Sequence, residues 1–155
     1  MRGKPAPRRK IANDPKYGSP VLSKFINYIM TGGKKSVAQR VVYGAFDIVA
    51  KKTEKAPNEV FETALVNVSP SLEVKSKRVG GANYQIPMQV RAERRQQLAF
   101  RWLIGAARSK KGRPMAEKLA GEIMAAAENT GDAVKKKMDV QRMAEANRAF
   151  AHFAR

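Results

Sequence analysis

Residues 72–90 read LEVKSKRVGGANYQIPMQV, and this stretch decides the fold. Leu72 to Val79 is β-tending, Gly80-Gly81 is a strong hairpin turn, and Tyr84 to Val90 runs back. Neither strand has a fully apolar face. One side of the first carries Glu73, Lys75, Lys77 and Val79; the other carries Leu72, Val74, Ser76 and Arg78. Pro87 has no amide proton to give a ladder and suits an edge. With no further strand in the chain, the pair has no sheet to join, so it should project as a two-stranded basic arm.

What it projects from is helical. Upstream, Ser19-Pro20 reads as an N-cap followed by proline at the first helical position. Val21, Leu22, Phe25, Ile26, Ile29 and Met30 then form one apolar stripe, which Gly32-Gly33 stops. A second helix opens at Lys34 and Lys35, with Val37, Val41, Val42, Ala45 and Val49 inward and Lys51, Lys52 and Lys55 at its end. A third begins near Pro57, with Glu59 and Glu62 in its first turn and Val60, Phe61, Ala64, Leu65 and Val68 inside, and Pro70 closes it.

Downstream, helical texture resumes at Ala92 and runs to about Arg108, where a Ser109–Pro114 loop follows. A fifth helix turns Met115, Leu119, Ile123 and Ala126 inward and ends at Asn129-Thr-Gly131. Asp132 is expected to cap a sixth, to which Val134, Met138, Val140, Met143 and Phe150 give apolar surface. Met124, Met138 and Met143 read as core filler. The expected fold is therefore mainly α: six helices in a single domain over 17–155, with a β-hairpin (72–90) between the third and fourth. Residues 1–16 precede it as an extended basic tail, because Pro5, Pro7 and Pro15 block helix while like charges block collapse.

Charge dominates the composition: 31 Lys and Arg against 13 Asp and Glu, a net +18 in 155 residues. Solubility needs only about 2–8 charges in a small domain, so a polyanionic partner is the natural reading. The absence of cysteine removes disulfides, thiolate catalysis and zinc ribbons, and fits a reducing cytosol. Neither a membrane span nor a secretory signal is legible. His152, the one histidine, has no acid at useful spacing, and Gly32-Gly33-Lys34-Lys35-Ser36 lacks the strand and upstream glycine of a phosphate loop. Carboxylates are sparse and scattered. No cofactor, metal or catalytic group is expected.

Basic residues cluster in several places. In the tail they are Arg2, Lys4, Arg8, Arg9, Lys10 and Lys16. On the fourth helix Arg94, Arg101 and Arg108 stand at intervals of seven, nearly in line, and Arg91 and Arg95 widen the row. Leu98, Trp102 and Gly105 follow another row, while Ala99, Leu103 and Ala106 fill the core side. Such a guanidinium ladder can fork onto phosphates; the competing reading is a solvated face, with Glu93 as its only acid. Lys110, Lys111 and Arg113 occupy the loop before the fifth helix, and Lys135, Lys136 and Lys137 the first turn of the sixth. There they oppose the macrodipole unless an anion binds. At the hairpin, Lys75, Lys77, Arg78, Gly80, Gly81, Ala82, Asn83 and Tyr84 surround the tip. Tyr84 either stacks on an exposed base or packs at the arm's root.

Several longer blocks resemble one family. They are Asp14-Pro-Lys-Tyr-Gly-Ser-Pro-Val-Leu22 through Gly33-Lys34-Lys35 with Val41-Val42, and Arg78-Val-Gly-Gly-Ala-Asn-Tyr-Gln-Ile-Pro-Met88. Arg94-Arg95 with Arg101-Trp102-Leu103, Ala133-Val-Lys-Lys-Lys137, and Arg142 through His152 complete the set. This pattern, spread over essentially the whole chain, resembles the bacterial-type small-subunit ribosomal protein number seven family. The resemblance implies a helical domain with a protruding hairpin. It implies binding to the 3′ major domain of small-subunit ribosomal RNA, nucleation of the subunit head, and a hairpin near exit-site tRNA and the mRNA path. Implied protein neighbours are the small-subunit proteins numbered nine and eleven (S9 and S11), and some members repress their own operon's mRNA. Carried onto this chain, Arg78 to Tyr84 become the tRNA- and mRNA-facing tip, and the tail from Arg2 to Lys10, Lys34, Lys35, Arg94, Arg95 and the Lys110–Arg113 loop become ribosomal RNA contacts; Lys16, Lys75, Lys77, Arg91, Arg101, Arg108, Lys135, Lys136 and Lys137 join them on charge and placement alone.

Two rival readings are available from the residues. A DNA-bending protein also uses basic β arms, but Gly80, Gly81, Ala82 and Asn83 provide no apolar wedge to part base steps. An RNA-modifying or RNA-cleaving enzyme would need an acid/base pair or cofactor loop, and neither is present.

Overall fold

A computed structural model describes residue 3 and residues 10–154. The expected tail contacts Arg2, Lys4, Arg8 and Arg9 lie outside these described residues. Helix α1 (Pro20–Ile29) starts where the sequence places it, with the Ser19 hydroxyl accepting the Leu22 N–H at 3.4 Å. Gly32 and Gly33 then adopt positive φ (60° and 75°), which a Cβ would penalise, and turn the chain into α2 (Lys35–Thr53). Helix α3 (Pro57–Val68) follows, then strands β1 (Leu72–Val79) and β2 (Ala82–Gln89). Helices α4 (Ala92–Ser109), α5 (Met115–Ala127) and α6 (Gly131–Ala146) complete the helical body, and a 3-10 helix spans Arg148–Ala154.

One core serves all six α-helices, and helix α5 contacts α2, α3, α4 and α6. Four phenylalanines form its spine: Phe25 lies 4.9 Å from Phe61 and 5.2 Å from Phe100 between ring centroids, and Phe46 lies 5.5 Å from Phe61. The tilted arrangement suits aromatic quadrupoles, and burial of rings this size dominates a core of this kind. No helix of the described residues is long and apolar enough to cross a membrane.

The hairpin is antiparallel, with Val79 opposite Ala82, so Gly80 and Gly81 make the two-residue turn at φ 57° and 90°. Its tip stands clear of the body, but its root is packed. Ile86 and Pro87 are buried, and β1 and β2 rest on α6 and the 3-10 helix. Tyr84 lies 5.1 Å from Phe150 and 5.6 Å from Phe153, so the packing alternative is the one adopted.

Three expectations need correction. The sixth helix does not run through Phe150: it stops at Ala146, where the Asn147 side-chain amide donates to the Met143 carbonyl at 2.8 Å, and the following turns fold onto the hairpin. Asp132 is not its cap, since Thr130 holds the N-cap position and the cap bond comes from elsewhere. Val37, Met138 and Met143 are not core; they are 50%, 46% and 47% exposed. Helix α6 buries only Ala133, Val134 and Ala144, so helical spacing overstated the width of its inner face.

Candidate nucleic-acid interface

The fold uses some of its cations internally and leaves others to solvent. Near the N-terminus, the buried Asp14 carboxylate accepts the Lys16 and Tyr17 backbone N–H groups and, at 2.7 Å, the Tyr43 hydroxyl. Burial, together with this bond, pushes the Tyr43 phenol up to about 12. Lys16 reaches Asp47 at 3.1 Å and lies 5.3 Å from the Tyr43 ring centroid. The last residues of the expected tail are thus anchored on α2, while Lys10 is exposed.

The arm's root is held by an acid the sequence reading did not single out. Glu73 pairs with Lys75 at 3.2 Å and with Arg94 Nε at 3.1 Å. Burial raises its carboxyl, but the hydrogen bonds from Lys75 and Arg94 outweigh this and leave it below the usual carboxylate range. Lys77 Nζ donates to the Phe153 carbonyl at 3.0 Å. Arg94 therefore works as a strut between α4 and the hairpin. At the far end of the same row, Arg108 Nη2 donates to the Ile29 carbonyl at 3.2 Å and lines a recess with Lys34 beside α1. Between these struts, Arg95 and Arg101 are exposed, as is Arg91.

A second organising acid is Glu122 on α5, which is 0% exposed. Its Oε2 meets Lys110 Nζ, and its Oε1 accepts the Ala133 N–H at 2.9 Å, which supplies the cap that α6 lacks locally. This ties the Lys110–Arg113 loop to the start of α6; Lys111 and Arg113 in the loop and Lys135 and Lys136 on α6 are all exposed. Lys137 turns inward instead and donates to the Asn67 carbonyl at 2.7 Å. The signal for Glu122 was present: it falls on the same stripe as Leu119, Ile123 and Ala126, and an acid there needs a buried partner.

Of the expected tip, Arg78, Gly80, Gly81, Ala82 and Asn83 are exposed, whereas Tyr84 is half-buried in its aromatic cluster. Among the described residues no three His, Cys, Asp or Glu side chains gather as a metal site.

A family model described as Ribosomal protein S7p/S5e matches residues 1–148. The chain belongs to this family. Similar proteins include the small ribosomal subunit protein uS7 of Thermotoga neapolitana, 60% identical over 153 residues covering 99% of each chain. That of Methylobacterium radiotolerans is 60% identical over 148 residues, 96% of this chain and 95% of its own. That of Aeromonas hydrophila is 58% identical over 146 residues, 94% of each. This S7p/S5e member therefore divides its cations between struts that hold the frame and groups left exposed to solvent.

Proposed function

We propose that this chain grips a folded junction of the 3′ major domain of small-subunit ribosomal RNA and nucleates assembly of the subunit head. As an S7p/S5e member it is a structural constituent of the small ribosomal subunit and not an enzyme. It is associated with small-subunit ribosomal RNA and other ribosomal proteins. The finer reading rests on the cations left exposed on two elements that Glu122 ties together, Lys111 and Arg113 in the loop and Lys135 and Lys136 on α6. Arg91, Arg95, Arg101, Lys111, Arg113, Lys135 and Lys136, with Lys34 and Lys35 at the start of α2, neutralise phosphates where RNA helices meet. The basic stretch before Asp14 lies along the RNA as a tail, while residues 14–16, anchored on α2, act as one unit with 17–155.

The hairpin tip, Arg78 to Asn83, faces exit-site tRNA and the mRNA path. Proteins S9 and S11 are its neighbours in the head, and the same basic faces serve repression of its own operon's mRNA. Nuclease footprinting on naked small-subunit ribosomal RNA tests the reading. Protection confined to the 3′ major domain, with a log–log salt slope several times the ~0.7–0.9 of one phosphate, is the expected result. A slope near that of one phosphate, or no protection at moderate ionic strength, rejects it.

A further inference from the structure

We propose that the groove between α4 and α6 receives one unstacked RNA nucleotide, its base against Trp102 and its phosphate between Arg101 and Lys136; this rests on the RNA-binding reading above. The groove encloses about 280 Å³, and its lining includes Arg101, Trp102, Gly105, Ser109, Asp132 and Lys136. That volume is at the small end for ligand sites, suited to one planar group. Trp102 packs partly against the core and partly lines the groove. Indole is a strong stacking surface for any base.

Arg101 and Lys136 come from different helices, and among the described residues neither is held in an ion pair. Asp132 would repel a phosphate beside it but accepts an N–H from a base edge. Ser109 spends its proton on the Ala106 carbonyl at 2.8 Å, leaving its oxygen as a further acceptor. Cations on the rim and acceptors within match a nucleotide with its phosphate out and its base in. Duplex RNA presents no free base, so the occupant is a single-stranded or extruded residue.

Gly105 keeps this side of the groove open. It sits inside α4, where glycine weakens a helix relative to alanine. Its backbone does not require glycine, and a Cβ built on it meets nothing within 4 Å. Packing therefore does not explain it. One turn along from Trp102 on the same face, an added methyl would fill groove space that the base needs.

Trp102 is the only tryptophan in the chain, so its emission reads the groove directly. Full-length protein is titrated with a 3′ major-domain transcript while filter binding measures affinity separately. Quenching that tracks binding is expected in the wild type. Gly105→Ala should melt no lower than wild type yet bind about fivefold or more weakly, the scale of one lost base stack, and Trp102→Phe should retain more affinity than Trp102→Leu. Tight binding with unchanged emission, or Gly105→Ala binding as tightly as wild type, overturns the groove proposal and leaves the RNA-binding reading standing. Emission that answers only to an added ribosomal protein also overturns it. Failure of the wild type to bind the transcript at all removes both.

Discussion

Glu122 and Ala133 meet across the α5–α6 turn, the buried carboxylate accepting the Ala133 N–H at 2.9 Å. Gly131 makes room for the contact: at φ 89° it has no Cβ, and one placed there would lie 3.0 Å from Glu122 Oε1. Removing the acid strands both the α6 N-terminus and Lys110. Glu122→Ala should therefore cost about 2–4 kcal/mol, below the full cost of breaking a buried pair because Lys110 is partly exposed. Glu122→Gln, which still accepts from Ala133, should cost about half as much. Chemical denaturation of the two variants checks the order, and equal losses would mean that the retained hydrogen bond to Ala133 contributes nothing and the charge everything.

Gly131→Ala should destabilise by at least about 1–2 kcal/mol from its left-handed backbone alone, with the Glu122 clash adding to that. A double-mutant cycle with Glu122→Ala separates the two causes. If the carboxylate is part of the obstacle, Gly131→Ala costs less when Glu122 is already gone.

The row Arg94, Arg95, Arg101 divides by role. Arg95→Ala and Arg101→Ala should leave the melting temperature in place and each lower the salt slope of RNA binding by roughly 0.7–0.9. Arg94→Ala should instead loosen the hairpin, because Glu73 loses its partner on α4. Faster amide exchange in β1 with only a small change in salt slope is the expected signature. A slope loss equal to that of Arg95→Ala would make Arg94 a phosphate ligand instead of a strut.

Tyr43 gives stability a pH dependence at the alkaline end. Its phenol titrates near 10 in the unfolded chain and at about 12 in the fold. A raised acid of this kind contributes fully below pH 10 and loses its contribution as pH climbs through 12. Lysines titrate over the same range, so the measurement is the difference in unfolding free energy between wild type and Tyr43→Phe. That difference should be flat from pH 7 to about 10 and shrink above it; a flat difference to pH 12 would remove the Asp14 bond as the cause.

Much of this was legible in the residues. Ser19-Pro20, Gly32-Gly33 and Gly80-Gly81 fixed three boundaries because cap geometry and positive φ are local demands that few residue types meet. The arm was legible from alternation and the absence of a second pair. Less legible was the arm's root, since the contact between Tyr84 and Phe150 spans most of the C-terminal half and leaves no periodic trace. The α6 cap was misread for a related reason: Asp132 is a sound local candidate, but Glu122 of the preceding helix reaches the free N–H first. Among the cations, sequence showed which were numerous but not which were already engaged. That division depends on where Asp47, Glu73, Glu122 and the Ile29, Asn67 and Phe153 carbonyls lie in space.

The aromatic seat formed by Phe150 and Phe153 makes the arm answerable to a late stretch of chain. During synthesis β1 and β2 emerge next to the Arg94 that braces Glu73, but well before the residues that clamp Tyr84 near the turn. A polypeptide cut short after α6 would keep the Glu73–Arg94 strut and the seat on α6 but lose the aromatic clamp on Tyr84. The part of the arm nearest its tip is in this sense fixed by residues distant in sequence.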